Sequence, residues 1–214
     1  MEEYTYIEIL IEDKSGSILV EKIMDKYVCD KQNVTYRIHS FKGIGKIPSK
    51  AKGISEIKTK RLLTDLPMYL RGMDLSLRSM PGKKAIFVLL DSDNENCADL
   101  KNNLVQMYQQ LEIAIQVFFC IAIEEMEAWM LGDREALLNA YPMAKRQLLL
   151  KYVQDSIVGT WEILADIVYK GGSQALKKNA SSYYEIGMFK CECARKIGMF
   201  MDIGRNMSPS FHYF

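Results

Sequence analysis

The sequence predicts an α/β domain built on a parallel, doubly wound sheet with helices on both faces. Three observations carry this expectation. Four short runs rich in β-branched and aromatic residues alternate with segments of helical periodicity, in the order β-α-β-α-β-α-β-α. The connections between them are short, as crossover units require. The 214 residues are 49% apolar and 26% charged, so the chain can bury a substantial core.

The elements follow in chain order. Tyr6 to Ile11 (YIEILI) reads as a strand, and Glu12-Asp13-Lys14-Ser15-Gly16 reads as the loop that ends it. Ile18, Leu19, Ile23, Met24 and Tyr27 recur at helical spacing, with Ser15 or Ser17 as the expected N-cap. Val34 to His39 alternates like a strand and runs into the basic loop FKGIGKIP, Phe41 to Pro48. Ile54 to Tyr69 reads as a helix kinked or stopped by Pro67, followed by an irregular stretch from Arg71 to Gly82. Ala85 to Leu90 (AIFVLL) is the clearest buried strand and ends in Asp91-Ser92-Asp93. A helix over Cys97 to Leu111 leads to a fourth strand, Ile115 to Ala122, and then to Glu124-Glu125-Met126-Glu127. Beyond that the pattern is helical, giving an α/β core over residues 1–133 and a helical C-terminal extension over residues 134–214.

Charge and composition narrow the function classes. The net charge is only +1, but residues 42–84 carry +8 and residues 85–139 carry −8. Such adjoining blocks fit a polyanion-binding surface beside a metal-binding pocket, but charge alone favours two solvated faces that happen to differ. Two histidines, His39 and His212, leave little scope for triad chemistry or a His-built metal site. Catalysis, if present, falls to carboxylates. The longest apolar run, Ile113 to Ile123, is 11 residues, far short of a bilayer span. Five cysteines without framework spacing point to reduced thiols and a cytoplasmic setting without membrane attachment. There is no GxxxxGK[ST] segment, which argues against nucleotide hydrolysis by the chain itself.

Every predicted strand ends in chemically capable residues, and doubly wound sheets bind ligands at that edge. Glu12 with Asp91 and Asp93 forms a set of hard oxygen donors suited to Mg²⁺ or Mn²⁺. The alternative for Asp91 or Asp93 is an Asx-turn or helix cap. Glu125 and Glu127 are candidates for a second ion, or ordinary acids of a first helical turn. Lys42 and Lys46, in a loop whose glycines free the backbone, are candidate phosphate contacts. His39 is expected to be structural, and Cys191-Glu192-Cys193 lacks the further ligands of a zinc site.

A glutamate after the first strand, Asp-x-Asp after a later one and a four-stranded parallel core together resemble the Toprim fold. That fold is shared by topoisomerases, bacterial primases and the nucleases of the OLD (overcoming lysogenization defect) family. The segment Glu125-Met126-Glu127-Ala128-Trp129-Met130-Leu131-Gly132-Asp133 looks like the E-x-E-A-W-L-L-A-D segment of a group of small Toprim-like proteins of unknown function. The tail Asn206-Met207-Ser208-Pro209-Ser210-Phe211 resembles the N-x-S-P-S-F near the end of the same group. The resemblance implies that Glu12 acts as general acid/base and touches metal, and that Asp91 and Asp93 bind metal. It also implies a setting beside an AAA/ABC-type ATPase in phage-defence loci. Two positions depart from the Toprim nuclease pattern. Gly16 stands where a further acid is common, four residues after the glutamate, and Asp13 replaces the usual glycine.

The function expected on these grounds is a Mg²⁺- or Mn²⁺-dependent nuclease acting on nucleic acid, DNA ahead of RNA, as effector of an ATPase-linked defence pair. Glu12, Asp91 and Asp93 would be catalytic, Glu125 and Glu127 additional metal ligands, and a homo-oligomer is compatible. The alternative is a non-catalytic Toprim-like module that binds nucleic acid or the ATPase through a degenerate metal site. A receiver domain fits less well, because it wants Ser/Thr after the fourth strand and lysine after a fifth. An Asp-nucleophile phosphatase would carry its Asp-x-Asp after the first strand.

Overall fold

The computed structural model describes residues 3–48 and 61–214. Its centre is a sheet of four strands, β1 (Thr5–Ile11), β2 (Val34–Ser40), β3 (Lys83–Asp91) and β4 (Gln116–Ala122). They lie in the order β2-β1-β3-β4 and every neighbouring pair is parallel. Helices α1 (Lys14–Val28), α2 (Leu62–Leu77) and α3 (Cys97–Gln109) make the three crossovers. The expected α/β architecture, a parallel four-stranded sheet with a helical C-terminal part, is therefore present.

The alternation of side chains along each strand divides the core into two layers. Ile9, Ile11, Leu89, Cys120 and Ala122 point to one face, where they meet α1 and the C-terminal helices. Leu10, Ile86, Val88, Leu90, Phe119 and Ile121 point to the other, against α2 and α3. Burial on both faces explains why β3 reads as a continuous apolar run, while β2, at the sheet edge, alternates.

The C-terminal helices are α4 (Glu127–Gly132), α5 (Arg134–Ala140), α6 (Arg146–Lys151), α7 (Thr160–Val168), α8 (Gly172–Asn179), α9 (Tyr183–Gly198) and α10 (Pro209–His212). Leu137, Leu149, Leu164, Ile197 and Phe211 belong to the same hydrophobic cluster as Ile9 and Leu19, so these helices complete the core on the α1 face. Among the described residues, no helix is long and apolar enough to cross a membrane.

Two local expectations need correction. The N-cap of α1 is Asp13, not a serine; its Oδ1 accepts the Gly16 N–H at 2.7 Å and its Oδ2 the Ser15 hydroxyl at 2.6 Å. The carboxylate satisfies both donors at once, which one hydroxyl could not do. The second helix does not stop at Pro67 but continues to Leu77, through much of the stretch expected to be irregular. Leu66, Leu70 and Leu77 are buried against the sheet, which outweighs the one hydrogen bond that proline removes. The beginning of the expected helix, residues 54–60, lies outside the described residues. Asp74, within this helix and 4% exposed, accepts the backbone N–H groups of Ala114 and Ile115, both at 3.0 Å. It thereby fixes the entry to β4.

Candidate functional site

The parallel register brings the ends of β1, β3 and β4 to one edge. Ile11 stands beside Leu89, and Asp91 beside Ala122. Glu12 follows β1 directly, and its Oε2 accepts the backbone N–H of Asp91 at 3.3 Å. Asp91 Oδ1 in turn accepts the Met126 N–H at 2.8 Å, at the start of α4. These carboxylates are crowded in a poorly solvated place. Burial pushes Glu12 up to about 7, with Asp93 and Asp13 adding to the rise. Burial also lifts Asp91 well above the usual carboxylate range, and the charges of Glu12, Glu127 and Asp13 lift it further.

The acids after β4 divide into two roles. Glu127 is 1% exposed and faces Lys190 of α9, with Oε2 3.1 Å from Nζ. Burial raises Glu127 to about 7 despite that ammonium. Lys190 Nζ also lies 3.3 Å from Glu125 Oε1, while Glu125 Oε2 accepts the Trp161 N–H at 2.9 Å. Burial works against the charged form of Lys190, but Glu127 and Glu125 outweigh it and hold the ammonium above its ordinary value. Glu124, which has a left-handed φ of 62°, turns instead to the start of α7. It accepts the N–H groups of Val158, Gly159 and Thr160 at 3.1, 2.8 and 3.0 Å, together with the Thr160 hydroxyl. Burial alone would raise Glu124, but these donors win and hold it below its ordinary value.

Of the residues singled out from sequence, Glu12, Asp91 and Glu127 fall into one electrostatic cluster. Asp93 is exposed at its rim in a left-handed conformation (φ 45°), with its N–H on the Glu124 carbonyl at 3.0 Å. Glu125 faces α7 and Lys190. The Lys42 loop adjoins the cluster through its backbone, because the Gly43 N–H donates to the Glu12 carbonyl at 3.1 Å. Lys46 is exposed farther along, where its carbonyl and N–H engage the Thr64 hydroxyl. The lysines at positions 50, 52, 58 and 60 lie outside the described residues. Among the described residues, no three His, Cys, Asp or Glu side chains converge into a ready ligand set for a metal ion. His39 is paired with Glu8 across the β1–β2 step at 2.6 Å.

Sequence reasoning missed Lys190, and no local signal identifies it. It sits in the amphipathic run MFKCECARK, where a lysine ordinarily reads as solvated. It also missed the capping carboxylate of Asp13, whose charge bears on Glu12, Asp91 and Glu127. Gly16 has a steric reason as well. A Cβ there would stand 2.9 Å from Asp13 Oδ1 and 3.0 Å from Ile11 Cδ1, so the Asp13 cap occupies the room an acid at position 16 would need.

The two segments that carried the resemblance clasp each other beneath the site. Trp129 is fully buried; its Nε1–H donates to Ser210 Oγ at 2.9 Å, and its carbonyl accepts from Asn206 Nδ2 at 2.8 Å. Asp133, at 0% exposure, accepts Arg205 Nε at 2.8 Å and the N–H groups of Ala136 and Asp202. Asp155 accepts the Ser208 hydroxyl and the Ser210 N–H, both at 2.7 Å. These residues hold α4 in place. No family model, no characterised protein and no solved structure matches the chain.

Proposed function

We propose that the protein is a divalent-metal-dependent nuclease whose centre is Glu12 and Asp91. The observation that carries this reading is their juxtaposition at the ends of adjacent strands, where burial and like charge raise the proton affinity of both. Such a pair gains most from a cation. The donor set fits Mg²⁺ or Mn²⁺, since every candidate ligand is a carboxylate oxygen and these ions keep several waters of their own. Glu12 and Asp91 would hold the ion, with Asp93 at the exposed side. When bound, the ion would supply Lewis-acid polarisation of a phosphodiester and neutralise charge on its oxygens. Glu12, with a proton affinity centred near neutrality, suits general acid/base work at physiological pH. The exposed Lys42 and Lys46 suit backbone phosphates, which favours binding with little base selectivity. DNA ahead of RNA as substrate, and an AAA/ABC-type ATPase as partner, follow from the Toprim-like motifs only.

A second reading, a non-catalytic binding module, is favoured by one specific feature. Position 16 carries no acid and has no room for one while Asp13 caps α1. One experiment separates the two. Supercoiled plasmid, linear duplex, single-stranded DNA and RNA are incubated with Mg²⁺ or Mn²⁺ and either the wild type or Asp91→Ala/Asp93→Ala, with and without a neighbouring ATPase if one is encoded. Metal-dependent cutting lost in the double variant supports the nuclease. Metal binding by a folded protein that cuts none of these substrates overturns it in favour of the binding module.

A further inference from the structure

We propose that this centre takes a single divalent cation, because Lys190 is the built-in second positive charge. The inference rests on the metal-dependent reading above and specifies how many ions that site holds. Two-ion phosphoryl-transfer sites need a second set of carboxylates within about 4 Å of the first ion. Among the described residues, the further acids that follow β4 into the cluster are Glu125 and Glu127, and α9 brings an ammonium to both. Lys190 Nζ lies 3.3 Å from Glu125 Oε1 and 3.1 Å from Glu127 Oε2, and its side chain is only 12% exposed. Glu127 is 1% exposed, and neither of its oxygens has a hydrogen-bond partner among the described residues, the Lys190 contact being an ion pair. A buried carboxylate oxygen in that condition is a vacant donor, and what fills its surroundings is an amine tethered by the C-terminal helices. Glu125 is further committed through its other oxygen to the Trp161 N–H. A second hard cation would have to displace Lys190 from both glutamates, against the packing of α9 on α1.

The consequence is an exchangeable order. Removing the ammonium turns Glu125 and Glu127 into free ligands and opens a second ion site; keeping any cation on that stem keeps it closed. The test is Mn²⁺ stoichiometry on the full chain, read by equilibrium dialysis and by the loss of the free-Mn²⁺ electron spin resonance signal. The wild type should bind one Mn²⁺, and Asp91→Asn should lose it. Lys190→Ala should bind two, with the second ion at least tenfold tighter than any second binding to wild type, whereas Lys190→Arg should remain at one. Should Lys190→Ala not fold alone, Mn²⁺ added during refolding should rescue it, and failure of that rescue counts against the proposal. Two ions on the wild type, or one on a folded Lys190→Ala, overturn the inference while leaving the metal-dependent reading intact. No Mn²⁺ on the wild type overturns both.

Discussion

Glu12 Oε2 accepts the backbone N–H of Asp91 at 3.3 Å, so the side chain that follows β1 is tied to the main chain at the end of β3. The bond spans two neighbouring strands whose register is fixed by pairing along their whole length. The strand ends that carry the two acids cannot separate without unpairing the sheet, so a proton or a cation at the side chains relieves their repulsion.

That relief has a pH signature. Glu12 and Glu127 are raised from an ordinary 4.5 to about 7 in the folded chain, and Asp91 moves in the same direction. The folded protein retains protons that the unfolded chain has released, so stability falls as pH rises from about 4.5 to about 7 and stays low above it. Glu124 and Asp133 are shifted down, so their contribution is lost at the acid end. Thermal melts should show the midpoint at pH 5.5 above that at pH 8 by several degrees, on the order of 2 kcal/mol. Millimolar Mn²⁺ at pH 8 should restore most of the difference. Identical melts at the two pH values would contradict the assignment.

Glu124 is expected to stabilise rather than to ligate metal. Its carboxylate gathers three backbone N–H groups and a hydroxyl at the start of α7. Glu124→Ala should cost about 1–3 kcal/mol, as loss of a charged hydrogen-bonding partner does. Hydrogen exchange at residues 158–160 should accelerate, with metal affinity unchanged. A large loss of metal binding with no change in exchange would show the opposite role.

Gly132 is fixed by Asn206. A Cβ at position 132 would fall 2.1 Å from Asn206 Oδ1, the atom that accepts the Ser208 N–H. Gly132→Ala should destabilise by about 2–4 kcal/mol through displacement of that side chain. Combining it with Asn206→Ala should cost clearly less than the two separate losses together, since both break the same clasp. Urea denaturation of the single and double variants measures this directly, and strict additivity would exclude the coupling.

Placing an acid at position 16 should not improve the site. Gly16→Asp pushes a side chain into the Asp13 carboxylate and Ile11, beside an existing negative charge. The expected result is a loss of about 1–3 kcal/mol with no gain in Mn²⁺ affinity. Tighter Mn²⁺ binding by a fully stable variant would show that the cap can give way.

The order of elements and the edge that carries the acids were legible in the sequence for a definite reason. A parallel sheet buried on both faces favours apolar runs; AIFVLL is one, YIEILI is broken only by Glu8, which pairs with His39, and each closes on an acid. Local pattern could thus locate Glu12 and Asp91. It misread the second helix because Pro67 is a strong local signal, while the burial of Leu70 and Leu77 and the clamp by Asp74 are contacts with distant residues.

The division of labour among the acids was decided only by tertiary structure. In sequence, Glu124, Glu125 and Glu127 are one acidic run, and Lys190 is one base on a helix more than sixty positions away. Folding assigns Glu124 to α7, Glu127 to Lys190 and Glu125 to both, because α7 and α9 complete the core on the face where β4 ends. Charge–charge energies depend on separation and burial, and neither is written in the spacing of residues along a chain. The sequence by itself determined which strands form and that acids stand at their ends. The three-dimensional fold determined which of those acids are stabilised in charged form by protein donors and which have their proton affinity raised by burial and like charge.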